Sequence, residues 1–389
     1  MMVEIRFITP EEQRESYIPL LAYAFRPSPP AEFTEDIDKM IKFFAKSTIL
    51  GAFEGGKLAA GVASAPYTQN VRGKVVPMGG VWGVAAAPWA RRKGYTRRAL
   101  TELFARMRED APVSTLYPFR ESFYQRLGYV SFLFPKKASF SPNACVPLLR
   151  RDLGGEVEIC EIKDGSDAYY AYLAERQRSI HGMAVEQGVS EMVLKNKVWL
   201  AVARVDDETA GMMLYRIKRD DGRVMDVTRF FYDDVRGRYL LLEWFARHAD
   251  QVDRVEVELM PTERPETWLE DLNVTLKSTW SPPMARILDV GALSGIGAGD
   301  GTFCATIADD YCPWNDSTFT FTGDGGALTV TGGGEPDCEL TIQALTALVY
   351  GTHDPADFAI RGWGAPSGEV QAVMRSIFPP ALPYLQESF

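Results

Sequence analysis

The chain has 389 residues, 46% of them hydrophobic, with 42 Lys+Arg against 52 Asp+Glu and three histidines. That length exceeds what a single core serves and predicts two or three globular domains. No apolar run approaches the roughly 18 residues of a membrane span, and the first fifteen residues carry acids where a secretory signal needs basic then apolar residues. The five cysteines include no CxxC pair and the three histidines lie far apart, so a disulfide framework or a metal cluster is not expected. The expectation is a cytoplasmic protein with reduced thiols.

The net charge of −10 resides in residues 286–389, which hold 3 basic and 13 acidic groups. Residues 88–137 carry 11 Lys/Arg against 4 Asp/Glu. A local basic patch on an acidic chain suits a small phosphate-bearing ligand, whereas nucleic-acid binding wants a broadly basic domain. The acidic remainder draws cationic substrates.

In chain order, residues 3–8 alternate as a strand, and Thr9 then caps a helix with Pro10 first and Glu12 third. A second helix is expected over residues 34–44, after the Pro-rich loop 26–31. Residues 48–54 and 57–65 are strands joined by Gly55-Gly56, a hairpin signal. Residues 71–77 begin another strand, which leads into the small, apolar strand 81–87.

There follows Arg91-Arg92-Lys93-Gly94-Tyr95-Thr96, then a helical pattern through Ala99, Leu100, Leu103, Phe104 and Met107. Strand, basic turn with one glycine and helix start together form an anion site: backbone N–H groups converge, the helix dipole is positive, and glycine lets a phosphate come close. A plain solvated helix cap is the alternative. A short strand (114–118), a helix (121–127) and a last strand after Gly128 complete an α/β domain over residues 1–140.

Residues 141–285 repeat the front half. Leu50 and Ala60-Gly61 recur as Leu200 and Ala210-Gly211 at an offset of 150, and Phe104-Ala105-Arg106 recurs as Phe245-Ala246-Arg247. What the second copy lacks lies around the basic loop, where Asp233 and Asp234 would repel a phosphate. The reading is a degenerate structural copy; chance similarity of strands is the alternative. Residues 286–389 form a third unit, with a hairpin 319–331, a strand 338–342, a helix 343–350 capped by Gly351, and short amphipathic helices at 354–359 and 370–378.

Arg91-x-x-Gly94-x-Thr96 resembles the phosphate loop of the GCN5-related N-acetyltransferases, with Thr96 where that family has Gly or Ala. The third unit resembles a sterol-carrier-protein domain. Two acetyltransferase halves and such a tail resemble the enhanced intracellular survival (Eis-like) family of bacterial N-acetyltransferases. Tyr124-Gln125-Arg126-Leu127-Gly128-Tyr129, the Met284–Val290 stretch and the final Phe389 also carry the resemblance. It implies an α/β fold of tandem acetyltransferase domains, the second degenerate: 1–140 catalytic, 141–285 degenerate, 286–389 sterol-carrier-like.

The resemblance also implies a site. Val84, Ala85, Ala86, Arg92, Lys93, Gly94, Tyr95, Thr96, Arg97, Phe119 and Arg120 would hold acetyl-CoA, Tyr124 would be the general acid, and the terminal carboxylate of Phe389 the base. By itself Tyr124 reads as a core aromatic, and Phe389 as a frayed terminus. Acetyl transfer needs a polarised thioester carbonyl, for which the Ala86 N–H is the candidate donor, and proton transfers that a phenol near pKa 10 matches well. Trp82 and Glu387 are candidate pocket residues.

The expected reaction is direct transfer to a primary amine of a cationic small molecule of the aminoglycoside or polyamine type, without a metal. A homo-oligomer, hexameric in the family, is implied, with neither nucleic-acid nor membrane partners. The alternatives are a lipid carrier using residues 286–389 and an acetyltransferase acting on protein lysines.

Overall fold

A computed structural model describes residues 3–26, 37, 41, 44–186, 197–219, 222–278 and 281–387. It divides into two compact units, one of Met1–Phe132, Gln177–Gln187 and Pro282–Phe389, the other of Leu133–Arg176 and Gly188–Ser281.

The first unit begins with β1 (Val3–Phe7), β2 (Thr48–Glu54), β3 (Lys57–Val71), β4 (Lys74–Ala86), β5 (Val113–Leu116) and β6 (Val130–Ser131). The expected strands at 71–77 and 81–87 are one continuous strand, because the turn falls at Arg72-Gly73 and Val71 still pairs with Lys74. The capping box foreseen at Thr9 is present: Thr9 accepts from the Glu12 N–H and Glu12 returns the bond to Thr9. Helix α1 (Pro10–Glu12) runs through a π-helical stretch (Gln13–Tyr17) into α2 (Ile18–Phe25). The helix expected over 34–44 falls mostly outside the described residues.

The sheet is covered on both faces. Tyr17, Ile18, Leu20 and Leu21 pack with Ile49, Ala59, Ala63, Ala85 and Ala87 in one apolar cluster. Helix α3 (Tyr95–Arg108) packs Ala99, Leu100, Leu103 and Phe104 with Leu50, Val62, Val81 and Leu116 in another. A short helix α4 (Glu121–Gln125) follows β5.

Two later segments return to this sheet. Residues of β9 (Ala184–Glu186) pair with β3, and β15 (Met284–Ile287) sits between β5 and β6, antiparallel to both. The stretch at 284–290 thus completes the first sheet rather than merely opening the third region. Its four strand residues are all buried, as a strand covered on both faces requires.

The remaining sheet of this unit runs β18-β17-β16-β19, with β16 (Gly301–Ala308), β17 (Ser317–Asp324), β18 (Ala327–Gly332) and β19 (Cys338–Thr341). It carries α7 (Ile342–Tyr350), which ends on left-handed Gly351, then α8 (Phe358–Arg361) and α9 (Gly368–Ile377). One apolar cluster joins Tyr67, Met78, Val113 and Ile287 of the first sheet to Phe303, Phe321, Leu345 and Tyr350.

The second unit is a seven-stranded sheet, ordered β14-β7-β13-β12-β11-β10-β8. Its strands are β7 (Lys136–Phe140), β8 (Glu156–Glu161), β10 (Trp199–Val205), β11 (Glu208–Lys218), β12 (Val224–Tyr232), β13 (Arg254–Leu259) and β14 (Thr275–Ser278), with helices α5 (Ile162–Gln177) and α6 (Val235–Ala246). Strand β7 pairs here, although it precedes residue 140. The internal repeat has a structural counterpart: Gly61 meets β4 at Ala85, and Gly211 meets β12 at Tyr232.

Candidate active site

Strands β4 and β5 run parallel only from Met78↔Val113 to Val81↔Leu116. Beyond that point β5 stops and β4 continues to Ala86, leaving one edge of β4 open. The register of β4 against β3 shifts between Ala63↔Trp82 and Gly61↔Ala85, a bulge centred on Gly83 with φ of 60°. The Tyr17 hydroxyl donates to the Gly83 carbonyl at 2.8 Å. A Cβ at Gly83 would stand 2.3 Å from that hydroxyl, so glycine is required there.

The Ala87 N–H donates to the Ala59 carbonyl at 2.9 Å. Successive strand N–H groups face opposite edges, so those of Ala86 and Val84 face the edge that β5 has vacated. Ala85, between them, faces β3 and is buried. Trp82 is half-buried, its ring 4.9 Å from that of Phe44.

The basic loop follows. Arg92 and Gly94 both have positive φ, at 62° and 79°. Gly94 is the N-cap of α3 and supplies no side-chain cap, so the first-turn N–H groups of Tyr95, Thr96 and Arg97 have no partner within the helix. The first turn holds no acid. Arg92 and Arg97 are exposed and Thr96 half-buried. These residues fit a pyrophosphate: an open helix start, a glycine whose missing side chain leaves room, and arginine charge beside it.

The side chains of Lys93 and Tyr95 are tied to β2. The Lys93 ammonium pairs with Glu54 at 2.9 Å, and the Tyr95 hydroxyl donates to the other Glu54 oxygen at 2.7 Å. Bonds from Lys93 first and Tyr95 second hold the Glu54 carboxyl below its ordinary range. Glu54 therefore ties the loop to β2. Its only signal in the sequence was its place beside the Gly55-Gly56 turn.

The second unit closes the corresponding helix start with its own acid. Asp234 is the N-cap of α6, and its carboxylate accepts from the Gly237 N–H at 2.8 Å. The position that Gly94 leaves open is there occupied by a carboxylate.

Across the gap from β4 stand Tyr117, Phe119, Arg120 and α4. Phe119 is 66% exposed and its ring lies 5.4 Å from Phe123 and 5.5 Å from Tyr124. Arg120 is the exposed N-cap of α4. Tyr124 is buried, packed edge-on against Phe123 and Tyr129, and burial raises its phenol well above the ordinary range. The phenol therefore stays protonated, a donor throughout the neutral range.

The C-terminal segment reaches the same gap. The Tyr384 N–H donates to the His181 carbonyl at 2.8 Å, Gln386 exchanges bonds with both backbone groups of Ala184, and the Tyr117 hydroxyl donates to the Leu385 carbonyl at 3.3 Å. Tyr117 is the first residue past β5, where the gap opens. Tyr384, Leu385 and Gln386 are buried and Glu387 half-buried, so the tail lies down this far. Phe389 lies outside the described residues. Among the described residues no His/Cys/Asp/Glu group suited to a metal is present, and no helix is long and apolar enough to cross a membrane.

Residues 4–131 match the family model of an acetyltransferase (GNAT) domain, residues 188–287 a second acetyltransferase (GNAT) domain, and residues 292–386 a sterol carrier protein domain. No functionally curated protein matches the chain in sequence. Among solved structures it is similar to a GCN5-related N-acetyltransferase from Anabaena variabilis (TM-score 0.86, 18% identity, all of both chains covered). A GCN5-related N-acetyltransferase from Kribbella flavida gives a TM-score of 0.83 at 20% identity, covering 100% of this chain and 98% of that one. Eis1 from Mycobacterium abscessus gives 0.74 at 19% identity over the whole of both chains.

Proposed function

The chain belongs to the GCN5-related N-acetyltransferases, with the Eis-like layout of two such domains and a sterol carrier protein domain, and from that premise we propose that it transfers the acetyl group of acetyl-CoA directly to a primary amine of a cationic small molecule. The observation that carries this reading is the uncapped start of α3 at Gly94, set at the end of the open β4 edge. A scaffold has no need of an open phosphate site, and the second copy closes its own with Asp234.

In this reading the N–H groups of Tyr95, Thr96 and Arg97, with the Arg92 and Arg97 charges, hold the pyrophosphate of the co-substrate. Val84 and Ala86 offer N–H groups to its pantetheine arm and thioester carbonyl, Ala85 backs them, and Phe119 and Arg120 flank the opposite side. Polarisation of the carbonyl by a fixed N–H favours attack by a neutral amine. Tyr124 then gives its proton to the departing thiolate as a positioned general acid.

The amine's proton goes to the α-carboxylate of Phe389. A carboxylate near pKa 3.5 is a weak base toward an ammonium near 10, so the proton passes through water or the carboxylate's pKa is raised by burial. The burial of residues 384–386 and the Tyr117–Leu385 bond support this placing. Phe389 follows Leu385 by four residues, a reach of at most about 14 Å. The acidic character of residues 286–389 favours a polyamine- or aminoglycoside-like acceptor. The second domain takes no co-substrate, and the protein assembles as a homo-oligomer, a hexamer by resemblance.

Release of CoA from acetyl-CoA, followed with a panel of polyamines, aminoglycosides and lysine peptides, tests the reading. Turnover with the small amines is expected. Turnover with lysine peptides alone would move the activity to proteins, and no turnover or CoA binding with any acceptor would favour a lipid carrier. One residue added beyond Phe389 is expected to abolish turnover and leave CoA binding intact.

A further inference from the structure

Helix α4, which carries Tyr124, spans only Glu121–Gln125 and lacks a side-chain cap at its start. Its outer face is not packed: a cavity of about 210 Å³ lies there, lined by Glu121, Gln125 and Tyr129 on one side and by His353, Arg361 and Trp363 on the other. What fixes the end of the helix is polar. The Gln343 amide donates to the Gln125 carbonyl at 2.9 Å, and the Arg286 guanidinium donates to the Leu127 carbonyl.

Arg286 is fully buried, and its charge is balanced by Asp309, which it bonds at 2.7 and 2.6 Å through both carboxylate oxygens. Asp309 is itself held by the backbone N–H groups of Tyr311 and Cys312 and by the Asn315 amide. The guanidinium lies over the Phe104 ring at 4.6 Å, and Phe104 and Tyr124 both pack on Tyr129. Gly128 has φ of 92°, and a Cβ there would stand 2.5 Å from Arg286. Asp309, Asn315 and Gln343 all lie in the stretch 292–386 that matches a sterol carrier protein domain.

We infer that this third domain positions the general-acid tyrosine: Gln343 directly, and Asp309 through Arg286, hold the two carbonyls at the C-terminal end of the Tyr124 helix. The inference rests on the proposed role of Tyr124. Gln343, Arg286 and Asp309 are positioning residues, since none touches a reacting atom. The domain thus serves catalysis in the first domain whether or not it binds a ligand of its own.

Gln343→Ala and Asp309→Asn, each alone and combined with Tyr124→Phe, test it by steady-state turnover alongside calorimetric CoA binding. Each single variant is expected to lower kcat roughly tenfold, as a misplaced catalytic group does, with CoA affinity within about twofold of the parent. In the Tyr124→Phe background, measured on its residual turnover, neither substitution should lower kcat further, because they act through the phenol. An equal loss in both backgrounds, or unchanged kcat in Gln343→Ala, overturns the inference. Asp309→Asn unpairs a buried arginine and stands to unfold the protein; Gln343→Ala removes one half-buried amide and then decides alone. Should Tyr124→Phe itself turn over like the parent, the acid assignment fails first, a result distinct from equal losses in both backgrounds.

Discussion

The hydroxyl of Tyr17 reaches across to the carbonyl of Gly83, 66 residues away, and holds the bulge that turns β4 toward its open edge. Tyr17 closes the π-helical stretch Gln13–Tyr17 and is fully buried against the bulge. π-Helical turns recur at functional sites because they re-aim one side chain. Here the re-aimed side chain sets the strand whose N–H groups face the site.

Tyr17→Phe leaves the half-buried Gly83 carbonyl without that donor, at a cost of about 1 kcal/mol. We expect a lower midpoint in urea unfolding and a several-fold fall in kcat. Unchanged kcat at lowered stability would mean that the bulge keeps its shape without Tyr17.

Glu54 ties Lys93 and Tyr95 of the basic loop to β2. Glu54→Ala is expected to raise KM for acetyl-CoA roughly 3–5-fold, the scale of exposed paired groups, while kcat stays near the parent value. A fall in KM would instead show that Lys93, once released, binds phosphate better than the anchored loop does.

His181 carries a pH dependence. Its Nδ1 accepts from the Arg72 N–H at 3.0 Å, so the proton sits on Nε2, which faces the Tyr350 carbonyl at 3.2 Å. Burial first, and the Arg72 charge second, lower its pKa to about 4 from the ordinary 6.5. The unfolded chain therefore binds a proton at higher pH than the folded one. The stability so provided is complete above pH 6.5 and is lost as pH falls toward 4, up to about 3 kcal/mol. Urea midpoints between pH 7 and 4 should fall steeply in the parent and less steeply in His181→Gln; equal slopes would contradict the assignment.

Local chemistry made much of the first domain legible. Thr9-Pro10-x-Glu12 wrote its own capping box, Gly55-Gly56 its hairpin, and the apolar spacing Ala99-Leu100-Leu103-Phe104 the buried face of α3. The repeat at Ala60-Gly61 and Ala210-Gly211 was visible because both glycines admit a close neighbour, the Tyr17 ring in one case and the Phe231 carbonyl in the other. What escaped was long-range. Nothing near Met284–Ile287 says that it slots between β5 and β6, nothing near Gln177–Glu186 says that it straps onto β3, and Arg286 reads as a surface charge until Asp309 is seen beside it. Lys93 read as a phosphate ligand because its partner, Glu54, lies 39 residues earlier.

The central claim is that Tyr124 gives its proton to the departing thiolate at the open edge of β4. Its most direct test is the rate of CoA release with a saturating polyamine, parent against Tyr124→Phe, alongside calorimetric CoA binding. A positioned general acid contributes roughly 10²–10⁴-fold. The account predicts a fall in kcat of that order with CoA affinity unchanged. A variant that releases CoA as fast as the parent would contradict it.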